Sequence, residues 1–230
     1  MRSSLILVAL LCVGCGSTSP TAPSTPPVVV VVPPVVPPVV PFLTIQTSPC
    51  PTSTPGVDLA FYQEIGCNQY DSHQLQPVRR WTVALKVYLK TIDEAGAAID
   101  AVTLDTVQNA MIEVAPIWTN GRYPLEGVLR GTETREGQSG WVTVRWPASA
   151  TAGASCGSAA VAIDGATIDL NYKVPACGCN GSAIRARTAR HELGHALGYW
   201  HTDNVNDLMS GLPTAGCDAQ PSARELQAAA

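Results

Sequence analysis

Three of the chain's four histidines fall in one stretch, His191-Glu192-Leu193-Gly194-His195-Ala196-Leu197-Gly198-Tyr199-Trp200-His201. His191 and His195 are four residues apart, so on a helix they leave one face a turn apart. Both imidazoles then reach a single ion at Zn–N distances of about 2.0–2.1 Å. Glu192 leaves the helix about 100° round from His191. It flanks the ion without ligating it, within reach of a bound water. Glycine at 198 accepts the left-handed conformation that ends a helix, and the chain then doubles back to offer His201 as a third ligand. Three neutral histidines leave a fourth position open for water, the arrangement of a catalytic zinc site rather than a structural one. Histidines that merely pack or face solvent would require neither Glu192 nor Gly198 nor a third histidine.

Other segments must position this cluster. Ser182 to Leu197 holds no breaker except Gly194 and reads as the zinc-bearing helix. Trp81, Val83, Leu85, Val87 and Leu89 alternate with more polar residues, a half-buried strand over Trp81–Lys90. Val107, Met111, Val114 and Trp118 recur at helical spacing, so a helix is expected from Leu104 to Ala115, closing near Pro116 and Gly121. Pro124–Arg130 and Trp141–Trp146 read as further strands. Ala159–Ile163 and Ala166–Tyr172 flank Asp164-Gly165, which predicts a hairpin with a type I′ turn. Its first strand carries only small or aliphatic side chains and suits a sheet edge that another backbone approaches closely. Ser222–Ala229 is a short terminal helix with Ser222 and Glu225 spaced as a capping box. No internal repeat is visible. The order indicates an α/β or α+β domain.

Composition narrows the function classes. Of 230 residues, 46% are hydrophobic and only 14% charged, with a net charge of −4, against about 25% charged in an ordinary soluble domain. Nothing here could neutralise many phosphates, so no nucleic-acid partner is expected. The only charge before residue 42 is Arg2, so the deficit belongs to the folded part. Arg2 and the apolar run Leu5–Val13 read as a signal peptide, too short to span a bilayer. It ends in Leu11-Cys12-Val13-Gly14-Cys15, similar to a bacterial lipobox, which would make Cys15 the lipidated first residue of an exported protein. Residues 16–43 form a linker, with nine prolines and nine valines between Pro20 and Pro41. Proline removes donors and fixes φ, so polyproline II is expected there, a semi-rigid stalk of roughly 60–70 Å.

The pattern His191 to His201 resembles the zinc signature of the metzincin metalloproteases. Met209, within Asp207-Leu208-Met209-Ser210, looks like the methionine of their tight turn, an apolar floor rather than a ligand. Element order from residue 79 onward is most similar to bacterial matrixin-like catalytic domains, whereas the specific motif covers His191 to Met209. The resemblance implies an α+β, zincin-like fold: a twisted mixed five-stranded sheet, one long helix, the zinc helix and a C-terminal helix. It implies residues 79–230 as a catalytic domain preceded by a disulfide-containing segment, 44–78. It also implies one catalytic zinc held by His191, His195 and His201, peptide-bond hydrolysis with Glu192 as general base, and a surface-tethered monomer acting on an extended peptide. Substrate would pair antiparallel with Ala159–Ile163, and Leu212 and Pro213 would wall the pocket beyond the metal. Matrixins often bind calcium, but no carboxylate cluster demands it here. Thr202 follows the third histidine, where matrixins usually have serine. Gly211 stands where astacins carry a tyrosine ligand. Histidines for a second, structural zinc are missing, leaving His73 as a surface residue. No latency motif surrounds Cys50 or Cys67. The competing class is a non-catalytic zinc-containing surface module, in which Glu192 would have no purpose.

Six cysteines follow Cys12 and Cys15. An even number in an exported domain reads as disulfides, with 15 connectivities open. The expected pairing is Cys50–Cys67, Cys156–Cys177 and Cys179–Cys217, the last tying the entrance of the zinc helix to the segment after Met209. Cys177-Gly178-Cys179 as a metal site is the alternative.

Overall fold

The computed structural model describes residues 44–149, 155–212 and 216–229. The signal peptide, Cys15, the linker and Pro213 lie outside the described residues. Strands β1 (Ile45–Ser48), β2 (Val78–Trp81), β3 (Leu85–Lys90), β4 (Leu125–Gly131), β5 (Trp141–Arg145), β6 (Gly157–Ala162) and β7 (Gly165–Leu170) combine with five helices. These are α1 (Leu59–Cys67), α2 (Gln69–Ser72), α3 (Ala101–Trp118), α4 (Ala186–Ala196) and α5 (Ala223–Ala229). The fold is α+β. Its main sheet is five-stranded and mixed, in the order β4-β3-β5-β7-β6, with β6 the antiparallel edge.

Helix α3 shows why its pattern was readable. Asp100 caps its start by accepting from the Thr103 N–H at 2.9 Å, and Val107, Met111, Val114 and Trp118 all lie in the core. The helix does not close at Pro116, as proline in the last turn suggested, but runs on to Trp118. Burial of Trp118 and its indole N–H bond to the Arg190 carbonyl (3.3 Å) hold that last turn against α4.

The expected single strand over Trp81–Lys90 is two. Val78–Trp81 pairs antiparallel with β1, and the chain turns where Thr82 N–H donates to the Thr44 carbonyl (2.9 Å) before β3 enters the main sheet. Within β3 the alternation holds for Leu85, Val87 and Leu89, which are fully buried, and for Lys86 and Lys90, which stay partly exposed; Tyr88 departs from it, buried against Trp141 and the Arg135 guanidinium.

The β6–β7 hairpin forms, but its turn is not type I′, because neither Asp164 nor Gly165 has positive φ. Gly165 serves close approach instead: a Cβ there would lie 2.5 Å from the Trp141 carbonyl on β5. Helix α4 starts at Ala186, not Ser182, since Cys179 and Ser182 bond each other's backbone in a turn. The three disulfides join Cys50–Cys67, Cys156–Cys177 and Cys179–Cys217, with Cα–Cα separations of 5.9, 5.3 and 5.7 Å. The Cys177-Gly178-Cys179 metal site therefore does not form. Disulfides point to an oxidising compartment. Among the described residues, no helix is long and apolar enough to cross a membrane.

Candidate metal centre

Helix α4 packs on α3, β6 and β7 and carries the first two histidines over a cleft of about 980 Å³. Two glycines let it sit there. A Cβ at Gly194 would meet the Met209 sulfur at 2.5 Å, so Met209, fully buried, packs directly on the helix. At Gly198 φ is +100°, and a Cβ would lie 2.5 Å from the Arg79 carbonyl. The turn after α4 thus needs glycine both for its conformation and for space. Trp81 clamps the helix end by donating its indole N–H to the Ala196 carbonyl at 2.9 Å. Trp200 N–H donates to the Ile65 carbonyl of α1 at 2.7 Å, which turns His201 back toward the helix.

One ring nitrogen from each of His191, His195 and His201 lies within 4.8 Å of the other two. The remaining nitrogens are all engaged. His191 Nδ1 meets the Leu208 carbonyl at 2.7 Å and His195 Nδ1 the Tyr199 carbonyl at 2.8 Å. A carbonyl only accepts, so each Nδ1 carries the proton and each Nε2 presents a lone pair. Burial holds His191 down to about 4 and His195 to about 3, so both are neutral near pH 7, the ligating form. His195 Nε2 and His201 Nε2 stand 3.0 Å apart. Two lone pairs so close are reconciled by a shared cation, and tetrahedral zinc would set ligand nitrogens about 3.3 Å apart. The residues present fit a metal ion.

Glu192 lines the same cleft and is 5% exposed. Its Oε2 has no hydrogen-bond partner, and burial pushes its pKa up to about 8. Opposite stands Gly157, at the start of β6, where a Cβ would lie 2.6 Å from the Glu192 Cγ and Oε1. The edge strand contributes Ser158 to Val161 to the cleft wall, and Leu212 lines it too. Strand β6 thus sits where an extended chain could pair with it.

The structure brings Glu192, His191, His195, His201, Gly198, Met209 and the edge strand together as the sequence led one to expect. His73 is exposed and apart from the cluster. Three contributors were not expected. Glu225, fully buried, closes the capping box with Ser222 and also accepts from the Leu208 and Met209 N–H groups (3.0 and 2.7 Å), holding the turn whose carbonyl orients His191. Arg187, 8% exposed, lines the cleft one turn before His191 and donates to the Asp207 carbonyl. Asp71, in α2, meets His201 Nδ1 at 2.9 and 3.1 Å. Only the Ser222/Glu225 spacing was a usable sequence signal; a carboxylate 130 residues away from its histidine leaves none.

No model of a known protein family matches the chain, and no curated protein matches it.

Proposed function

We propose that this chain is a zinc-dependent endopeptidase of the metzincin kind, closest in style to bacterial matrixin-like domains and tethered outside the cell. One observation carries the reading. A buried carboxylate without a partner, Glu192, stands beside three converging imidazoles in a cleft walled by a free sheet edge. A structural metal site has no use for such a carboxylate, which costs stability where it stands.

When bound at His191, His195 and His201, zinc would supply a Lewis acid that polarises the scissile carbonyl and acidifies a water. The remaining chemistry belongs to the chain. Glu192 Oε2 takes the proton of the attacking water and returns it to the leaving amine, so no covalent intermediate is required. Hydrogen bonds at each Nδ1 keep the imidazoles in one tautomer. The backbone of β6 pairs with an extended substrate, and its alternate side chains contribute selectivity. Gly157 leaves Glu192 the room it occupies.

Cleavage of a mixed peptide library by the zinc-loaded protein tests this reading. Activity should vanish with a chelator and return with Zn²⁺. Glu192→Ala should retain zinc and fold while losing cleavage; persistent cleavage would overturn the mechanism. Zinc binding by the native chain with no cleavage of any peptide would favour the non-catalytic surface module.

A further inference from the structure

The three imidazoles are not oriented alike. His191 and His195 donate Nδ1–H to neutral backbone carbonyls, that of Leu208 in the turn beneath the helix and that of Tyr199 in the loop just after it. His201 alone faces a carboxylate, and that carboxylate comes from the far end of the described chain, in the disulfide-tied segment ahead of the main sheet. We infer that Asp71 is a positioning residue of the metal centre, and that segment 50–76 is a built part of that centre rather than an appendage. The inference rests on the metal-centre reading and concerns how the third ligand is held.

The segment is built to keep Asp71 in place. Disulfide Cys50–Cys67 ends α1, and Cys67 lies fully buried. Asn68 and His73 bracket the four-residue helix α2, both with left-handed backbone (φ 58° and 54°). Each closes the helix before it in the left-handed cap conformation, which asparagine and histidine adopt more readily than most residues. Ser72 Oγ lies 2.7 Å from the Asn68 carbonyl and 2.6 Å from the Gln74 carbonyl, and Gln76 N–H donates back to the Cys67 carbonyl (2.7 Å). Tyr70 locks α2 onto the ligand loop. A Cβ at Gly211 would lie 2.7 Å from the Tyr70 ring and 3.2 Å from the His201 Cβ, so the three stand in contact. On the other side, the Trp200 bond to Ile65 ties the ligand loop to α1.

A carboxylate behind a ligating histidine holds the ring and its tautomer and raises its basicity toward the metal; losing one typically weakens metal binding about 10–100-fold. The Asp71 side chain is 38% exposed, and solvent screens the charge, so the lower end of that range is expected here. A peripheral ion pair of the same exposure would change metal affinity hardly at all. The gap separates a positioning role from a decorative one.

The test is zinc affinity of the full chain, measured by competition against a chelator of known affinity. Asp71→Asn keeps size and an acceptor but removes the charge; about tenfold weaker binding is expected, and more for Asp71→Ala. Asp203→Asn removes an equal charge from the loop after His201, where the carboxylate pairs with Arg224; it should leave affinity unchanged. With Co²⁺ in place of zinc, the visible d–d spectrum should shift in Asp71→Asn and not in Asp203→Asn. Loss of the Cys50–Cys67 bridge by paired Cys→Ser substitution should weaken zinc binding in the native background and add little to Asp71→Ala. Equal affinity in native, Asp71→Asn and Asp71→Ala proteins would overturn the inference while leaving the metal centre standing. A native chain that binds no zinc would overturn both.

Discussion

The two faces of α4 follow different rules. On the face turned to α3 and the sheet, Ala189, Leu193 and Ala196 are fully buried. Arg190, 4% exposed, directs its terminal nitrogens to Glu113, Asp218 and the Ala219 carbonyl, and its own carbonyl accepts from Trp118. On the cleft face, two residues further along, Glu192 is as deeply buried and pairs with nothing at Oε2. A buried carboxylate without a partner destabilises a fold, whereas a buried arginine between two acids need not. The contrast teaches that the inner face is arranged for stability. The cleft face keeps an unfavourable group with no structural partner, the general base of the proposed reaction.

The sharpest way to break this comparison is Glu192→Gln. Removing a general base costs about 10²–10⁴ in rate, while replacing a buried acid whose Oε2 has no partner by an amide of the same shape should leave the unfolding midpoint unchanged or raised. Peptide cleavage and thermal unfolding on the same sample check both halves. A fall in midpoint with retained activity would mean the two faces do not differ in kind. Leu193→Ala is the mirror experiment. It empties a fully buried site on the inner face and should cost about 2–5 kcal/mol in denaturant unfolding, with catalysis by the surviving folded fraction little altered.

Gly157→Ala sharpens the comparison from across the cleft. Its added carbon would fall 2.6 Å from the Glu192 Cγ, so the carboxylate must shift. Roughly a hundredfold loss in kcat/KM is expected for a displacement on the order of 1 Å. The unfolding midpoint and zinc content should hold. The smallest effect concerns a cluster remote from both faces. Asp93 is buried and bonded to Lys173 (2.7 Å) and the Tyr172 hydroxyl (2.8 Å), and these partners hold its pKa well below the ordinary carboxylate value. A depressed carboxylate stabilises the fold above its unfolded pKa of 3.8 and loses that contribution as pH falls toward its folded value. Native stability should therefore decline below about pH 4. Asp93→Asn should flatten that decline in acid unfolding curves without changing the contrast between the faces of α4.

Legibility in the sequence tracked distance along the chain. The α3 face, the edge strand and the Ser222/Glu225 cap were readable because each depends on residues a few positions apart. The first strand reads as unbroken because its break at Thr82 is set by pairing with β1, and Tyr88 departs from the alternation because Trp141 and Arg135 cover it. Gly165 was misread as a turn former because its real neighbour is the Trp141 carbonyl on another strand. Helices α1 and α2 were missed within a segment recognised only by its cysteines.

The sequence by itself determined which imidazoles could share one ion. Helical rise and twist place His191 and His195 on one face whatever surrounds them, and Gly198 permits the reversal that returns His201. Only the tertiary structure decided how those rings are held and what faces them. The Leu208 carbonyl, the Asp71 carboxylate and the edge of β6 meet the motif from separate stretches of chain, once the sheet, the disulfides and the packed helices bring them together. A local spacing rule carries the choice of ligands. Their orientation is a property of surroundings that exist only in the folded chain.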